Sequence, residues 1–576
     1  PNVDALAERG VRFTNAYTTA GVCAPCRSGI ITGMYQNSIG SHHMRCNAKL
    51  PDWLKPFPMY LREAGYFCTN HSKTDYQFSS PSKNEIWDAC GGKSADWSKR
   101  AEGQPFFAVY NFTGCHESGI AGESKYKSVT APLSDDQRQD PDKLTTLPPY
   151  YPDTPVTRED WKRNYELITA LDIWVGEHLQ RLEEAGELEN TIVFFWSDHG
   201  VGLPRAKRWL YDSGTHIPFI VSVPKKFQDS VNLDMQTADD RLVNSVDFGP
   251  TVLEIAGVER PDHLQGRSIL GKPRDYVYGA RDRMDERYDI IRAVRDKRFR
   301  YIRNFEPLKP YYQYMNTPEK GATMCEIRAA EKAGNVSGAA KLFSAKSKPT
   351  EELYDLKNDP HEINNLANDP EFTEKLDELR SALTDWQNEV GDIGLVPESE
   401  ITRLEEAAGS TYAVLRQKED PVAYIAELTA VATAASDKTG IPQLATALTH
   451  EDASIRYWGA TGLGNFSGQV REDKKITKSL KGLLTDESLG VQVAAARALA
   501  RMGELKQSLP VLESVLAGPN EWARLEAAIV LDYLDEAASA SLPAMKAALK
   551  DQPNKYIIRV ANRAVNDLEG TNNVVP

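Results

Sequence analysis

A change of rhythm near residue 420 constrains this chain more than any other feature. Beyond it Ala, Leu and Val dominate and one pattern recurs: a leucine, a short polar turn, then an Ala-rich helical run such as Val493-Ala494-Ala495-Ala496-Arg497-Ala498-Leu499. Leu448, Leu484, Leu516 and Leu549 mark four such units at intervals of 36, 32 and 33 residues. A unit of this size holds a helix pair but cannot bury its apolar face alone, so the units must stack. The spacing predicts an α-solenoid over 426–576. An irregular helical domain is the alternative, and four in-phase units favour the repeat.

Upstream the rhythm is different. Pro105 to Tyr110 (PFFAVY), Thr191 to Trp196 (TIVFFW) and Ile217 to Val223 (IPFIVSV) are short, aromatic and β-branched, as buried strands are. Asn2 to Arg9 reads as a helix. A long amphipathic helix is expected from about Arg158 to Glu184, stopped by Gly186. Strand–helix–strand order predicts an α/β core over 1–270 with a largely parallel sheet, whose ligands sit at the carboxyl ends of strands. Residues 271–395 read as a smaller α+β subdomain, with two or three strands in Asp275 to Asn304 and a helix over Phe372 to Val390. Glu319 to Thr350 reads as an exposed insertion, and 396–425 as a linker.

Composition removes some functions. The 576 residues are 41% hydrophobic and 26% charged, which excludes wholesale disorder. No apolar run reaches the roughly 18 residues of a spanning helix. A net charge of −14 argues against non-specific nucleic-acid binding but leaves room for a local basic pocket. Seven cysteines are too few and too uneven for a disulfide scaffold. The sequence begins at Pro1 without a Met, so an upstream stretch is expected to have been removed or left unrecorded.

Cys23-Ala24-Pro25-Cys26-Arg27 has two readings. As a CxxC pair it would serve redox chemistry if it opened a helix directly after a strand, or zinc if a second CxxC existed, and none does. The second reading takes in Ser28-Gly29-Ile30-Ile31-Thr32-Gly33 as well. Cys23-x-Pro25-x-Arg27 followed by that stretch resembles the signature of the type I sulfatases. In that family the motif cysteine becomes formylglycine, whose hydrated aldehyde attacks sulfur and later eliminates sulfate. Cys26 departs mildly from the small residue usual there. Such chemistry needs an activated nucleophile, a neighbouring cation and charge stabilisation around the sulfuryl oxygens.

Further segments match the family in order. Ser197-Asp198-His199-Gly200 directly follows TIVFFW and resembles its metal-ligand pair, with His199 where Asn is commoner. The bland reading of that stretch is a turn or cap. Lys207, with Arg208 as runner-up, matches the cation preceding the Ile217-Pro218-Phe219 strand. His71-Ser72-Lys73 resembles the segment with a sulfate-binding lysine, although Asp75 stands where the family has a histidine. His116 follows PFFAVY and matches a second family histidine, placed to protonate the leaving oxygen. Pro1 to Ala7, Val246 to Leu253 and Glu352 to Ala367 extend the resemblance over about residues 1–390. The branch looks closest to sulfamidase (heparan N-sulfatase)-like enzymes and bacterial polysaccharide sulfatases.

The resemblance implies an alkaline-phosphatase-like α/β core followed by the helical units, which look like HEAT repeats. It implies hydrolysis of a sulfate ester or sulfamate on a carbohydrate. Cys23 would be the nucleophile after maturation by a formylglycine-generating enzyme, and Arg27 would orient it. Lys73 and Lys207 would bind sulfuryl oxygens, and His116 would donate the proton. Asp198 and His199 would hold a divalent cation, expected to be calcium. The family's other two metal ligands are adjacent aspartates on a strand that would precede Pro1. A periplasmic or secreted location is also implied. His42-His43-Met44-Arg45 could be a metal cluster, but adjacent histidines diverge on most backbones, so His43 and Arg45 are taken as pocket-lining residues for an anionic sugar. Gly91-Gly92-Lys93-Ser94 lacks the first glycine of a P-loop and reads as a loop. Two alternatives stay open: a phosphodiester or phosphonate hydrolase of the same superfamily, and a non-catalytic binding protein. The repeats could also serve as a dimerisation or partner surface.

Overall fold

The computed structural model describes residues 1–550 and 552–575. Its strands are β1 (Gly10–Tyr17), β2 (Phe67–His71), β3 (Ala89–Cys90), β4 (Phe106–Tyr110), β5 (Val193–Trp196), β6 (Phe219–Ser222), β7 (Thr237–Asn244), β8 (Val277–Arg281), β9 (Ile291–Arg295), β10 (Phe299–Asn304) and β11 (Glu351–Asp355). The core holds two sheets rather than one. The first has the order β5-β6-β1-β7, with β6 antiparallel to both neighbours and β1 parallel to β7. The second, β3-β2-β4, is wholly parallel. The largely parallel sheet expected from the sequence is therefore mixed. Only the short helix Asp212–Thr215 lies between β5 and β6. No crossover helix is available there to carry the chain back over the sheet, so the strands pair antiparallel.

β4 and β5 are the edges of their sheets, each paired on one side only. Between them runs a cavity of about 1690 Å³, lined by Phe107, Val109, Phe195 and Trp196 and reaching Cys23 and Asp198. Both strands are consequently half-buried, where their composition predicts burial. Against this core pack the helices α1 (Asn2–Glu8) and α3 (Pro155–Glu184). Thr154 caps α3 by accepting from the Thr157 amide (3.2 Å), and Pro155 occupies the first turn, where its missing N–H costs nothing. Leu167, Val175 and Leu182 bury one face of α3.

The subdomain sheet is antiparallel, β11-β10-β9-β8. Helix α4 (Thr373–Val390) covers it, with Trp386 stacked on Tyr278 at 5.0 Å. Two expectations need correction. The stretch 319–350 is no exposed insertion, because Met324, Ile327 and Phe343 are buried against Tyr150, Tyr151 and Tyr312. The stretch 396–425 is no extended linker: it forms α5 (Glu398–Ala408), α6 (Thr411–Arg416) and the start of the helix Pro421–Ala434, with Ile401, Val414 and Leu415 in the core. Part of its polar composition serves as helix caps. Ser410, for example, accepts from the Ala413 amide.

The repeat region carries α7 (Ala453–Asn465), α8 (Leu489–Arg501), α9 (Glu521–Leu534) and α10 (Lys555–Glu569), joined by shorter helices. Ala and Gly positions such as Gly462 and Ala498 let these helices approach closely. The array folds back on the preceding α/β region. Trp458 donates to the Leu395 carbonyl (2.8 Å), Tyr533 to Gln313 (2.7 Å) and Arg303 to Thr433 (3.0 Å). Among the described residues no helix is long and apolar enough to cross a membrane.

Candidate active site

Helix α2 (Cys23–Thr32) carries the motif and begins at Cys23, so the thiol sits in the first turn, where unpaired amides and the helix dipole favour negative charge. Gly21 is required just before it. A Cβ there would meet the Trp209 carbonyl at 2.2 Å, and the Arg208 amide donates to the Gly21 carbonyl (2.6 Å). The nucleophile turn is thus clamped to the 205–211 loop.

Cys23 and Cys26 fare differently. Burial alone would raise both thiols. His199 and Lys207 overcome it at Cys23 and bring that thiol down to about 7. Burial prevails at Cys26, helped by Asp198, and pushes it up to about 12. Cys26 sits against Thr18 and the Asp198 carbonyl. All seven cysteines are free, so the CxxC pair is no disulfide here.

Asp198 and His199 leave the carboxyl end of β5 and meet Cys23. The ligand-capable atoms of the three lie within 4.8 Å of one another. His199 Nδ1 lies 2.8 Å from the Gly200 carbonyl, which can only accept, so Nδ1 carries the proton. Its Nε2 faces Cys23 Sγ at 3.1 Å, and although burial would lower this imidazole, Cys23 and Asp198 hold it above its ordinary value. Burial would raise the Asp198 carboxyl, but His199, Arg27 and Lys73 hold it well below the usual carboxylate range. Arg27 Nε donates to Asp198 Oδ2 (2.9 Å), and Lys73 Nζ lies 3.8 Å from the same oxygen. Lys73 also lies 3.9 Å from Asp75, which itself accepts from Arg45 (2.9 Å). Arg45 lines the cavity with its side chain 44% exposed.

A second cluster stands beside the first. His116 follows β4 and caps the helix Glu117–Ala121. Lys207 Nζ, an ammonium with only donors, lies 3.1 Å from His116 Nε2 and 2.9 Å from Glu117. On the other side of the ring, Nδ1 accepts from the Ser118 amide (3.2 Å) and lies 2.9 Å from Ser118 Oγ. Burial and Lys207 push this imidazole down to about 3. Lys125 donates to the same Ser118 hydroxyl (3.0 Å) and lines the cavity.

Two predicted substrate contacts do not reach the cleft. Arg208 is buried, bonded to Glu117 (2.8 and 3.0 Å) and Asp285 (2.6 Å). Its guanidinium is consumed by two carboxylates, so it supports the site rather than touching a ligand. His43 is buried beside Tyr288, with Nδ1 accepting from the Arg283 amide (3.1 Å). His71, at the end of β2, stacks on Tyr110 (5.7 Å). Sequence reasoning missed Glu117 and Asp285, because their partners are distant in the chain. Lys125, on the short helix Glu123–Val129, carried no signal.

Known proteins resemble the chain over this same region. A sulfatase family model matches residues 1–258, and a HEAT-repeat model matches 476–566. An ulvan-active sulfatase of Formosa agariphila is 41% identical over 442 residues, spanning 70% of this chain and 73% of the relative. The chain belongs to the sulfatase family. It is also similar to the N-sulphoglucosamine sulphohydrolase of Homo sapiens, 28% identical over 440 residues, or 68% of this chain and 86% of that protein. In fold it resembles the crystal structure of the yidJ protein of Bacteroides fragilis, with a TM-score of 0.51 and 20% identity over 68% of this chain and 91% of the other. As a family member the chain is a sulfatase, an α/β enzyme core followed by helical repeats.

Proposed function

We propose that this sulfatase hydrolyses sulfate esters on a sulfated polysaccharide or its fragments, with residue 23 as nucleophile after conversion to formylglycine. One observation carries the reading: Cys23, in the first turn of α2, meets His199, with Arg27 and Lys73 drawn to the neighbouring Asp198. Relatives named for ulvan and for sulphoglucosamine support a glycan substrate. Formylglycine would supply a hydrated-aldehyde hydroxyl as attacking group. Lys73 lines the cavity and is placed to draw the sulfuryl oxygens, and Lys207, buried behind His116, adds a fixed cation to the same field, where developing charge is stabilised most. Lys207 Nζ stands 3.1 Å from His116 Nε2. An anionic sulfate beside His116 offsets the Lys207 charge, raises the imidazole and readies it to protonate the leaving sugar oxygen.

Asp198 and His199 fit part of a divalent-cation site, since one ionised carboxylate and one oriented imidazole converge beside residue 23. Calcium takes six to eight ligands, mostly oxygen, so these two are insufficient alone. Such a cation would lower the pKa of the attacking hydroxyl and neutralise sulfate charge.

The test is sulfate release from a panel of sulfated glycan fragments by protein co-expressed with a formylglycine-generating enzyme. Cys23→Ala serves as control and peptide mass reports conversion. Release that disappears in the control supports the reading. Converted protein that releases phosphate or phosphonate groups and no sulfate overturns it.

A further inference from the structure

The loop from Arg281 to Asp289 joins β8 to β9 and reads Arg-Asp-Arg-Met-Asp-Glu-Arg-Tyr-Asp. Seven of its nine residues are charged, a composition that belongs on a surface, yet all seven are buried. Each finds a partner in another element or within the loop, as a buried charge must. The helical region holds one side. Arg283 makes two bonds to Glu398 on α5 (2.6 and 2.8 Å) and lies over the Trp522 ring of α9 (4.1 Å). Arg287 donates to Asp532 on α9 (2.7 Å). Arg559 on α10 stands 3.5 Å from Glu286 and 3.9 Å from Asp285.

Asp285 links this clamp to the site. It adopts a positive φ of 48°, which is costly for a residue other than glycine and persists only where surroundings fix it. Its Oδ2 accepts from Arg208 Nε (2.6 Å). The two outer nitrogens of Arg208 grip Glu117, whose Oε1 also accepts from Lys207, and Lys207 in turn reaches His116. A chain of alternating charges thus runs from the last repeat helix to the cleft.

We propose that the helical repeats are a working part of the catalytic centre: Arg559 and Asp285 are positioning residues that fix Arg208, and through Glu117 set where Lys207 and His116 stand. The physical reason is the fork geometry of Arg208. A guanidinium held at Nε by one carboxylate presents its other two nitrogens in a fixed plane, and Glu117 must align with that plane. Lys207, on a flexible stem, takes its place from Glu117. The inference rests on the reading that Lys207 and His116 act on the substrate, and its tests separate the two.

The first test measures kcat and KM of the full, converted chain on a glycan fragment that gives Cys23-dependent sulfate release. Asp285→Asn is expected to lower kcat about tenfold and Arg559→Met about three- to tenfold, with KM changed less than about twofold, since misplaced groups lose transition-state rather than ground-state contacts. Arg559→Lys should recover most of the loss. Arg456→Met breaks an ion pair with Asp486 inside the repeats, away from this chain of charges, and should leave kcat unchanged at a temperature where it is folded. Equal kcat losses in Arg559→Met and Arg456→Met, or losses confined to KM, overturn the proposal.

The second test needs no turnover. The His116 imidazole, assigned by loss of its NMR signal in His116→Gln, faces Lys207, Glu117, Lys73 and Lys125. It should stay neutral down to about pH 4.5 in the parent and titrate at least about one unit higher in Arg559→Met and Asp285→Asn. An unmoved titration refutes the positioning role even if no glycan is desulfated. A shifted titration upholds it even if the glycan reading fails. If Asp285→Asn does not fold, Arg559→Met decides alone.

Discussion

The two walls of the cleft are built on opposite principles. The Cys23 and Asp198 wall is carried by the start of α2 and the carboxyl end of β5, an aromatic strand paired on one side only beside an apolar cavity. The Lys207 and His116 wall stands on a closed set of buried ion pairs, tied through Asp285 to the helical repeats. The first borders open space and tolerates loss of packing. The second is satisfied within itself and fails when one member is removed.

The largest expected effect is on chemistry alone. Relative to the converted parent, Cys23→Ala should reduce sulfate release by at least about 1000-fold, because no other group can form the covalent intermediate. Its thermal midpoint should stay within a few degrees, since only one sulfur is removed from a site with room beside it. Loss of folding together with activity would mean that Cys23 is structural.

Next comes the closed wall. Arg283 lies fully buried between Glu398, Trp522 and Tyr556. Arg283→Met should destabilise by about 3–5 kcal/mol, the cost of leaving a buried carboxylate without its cation. Urea unfolding gives the number. The double change Arg283→Met with Glu398→Leu should recover most of it, because no charge then remains unpaired. A double variant no better than the single one would show that packing, not charge, holds the interface.

This contrast also explains what the sequence disclosed. The strands, α2 and the chain segments bearing Cys23, Lys73, His116 and Asp198 are local features. Periodicity or a short motif marks each, and the fold needs only to bring strand ends together. The loop Arg281 to Asp289 is the opposite case. Seven charges in nine residues read as solvent-exposed, and only partners such as Asp532, 245 residues away, reverse that. Arg208 was misjudged for the same reason, since its second carboxylate is 77 residues distant. The segments 319–350 and 396–425 were misread because their buried residues are sparse among Ala, Lys, Glu and Ser. Long-range charge pairing leaves no period in a sequence.

A milder comparison sets the open wall against the sheet interior. Phe219 in β6 is 1% exposed and packs on Phe13 and Phe248. Phe219→Ala should cost about 3–5 kcal/mol, as full removal of a packed ring does. Phe195 in β5 borders the cavity and is only half-buried, so Phe195→Ala should cost about 1–2 kcal/mol. Equal losses in urea unfolding would mean that the cavity wall is as tightly packed as the interior.

The smallest effect concerns pH, again on the closed side. Burial, with Arg283 and Arg292, holds the His43 imidazole well below its ordinary value, and its Nδ1 is already committed as acceptor to the Arg283 amide. Burial, then His43 and Arg292, does the same to His42. Around them stand Glu398, 4.0 Å from His43, and Tyr288. An unfolded histidine takes up a proton below about pH 6.5 whereas these native imidazoles do not, so the unfolded state binds more protons and stability falls as pH falls. Each contributes a slope of at most about 1.4 kcal/mol per pH unit below that point. Buried carboxyls raised by desolvation, Asp282 to about 7 and Glu526 to about 8, act with the opposite sign. The difference between parent and His43→Asn cancels them. Between pH 6.5 and about 4.5 the parent should lose stability faster than His43→Asn by up to that slope. Parallel curves in urea unfolding would show that the native state admits the proton at His43, and that the interface around Arg283 is less closed than its ion pairs indicate.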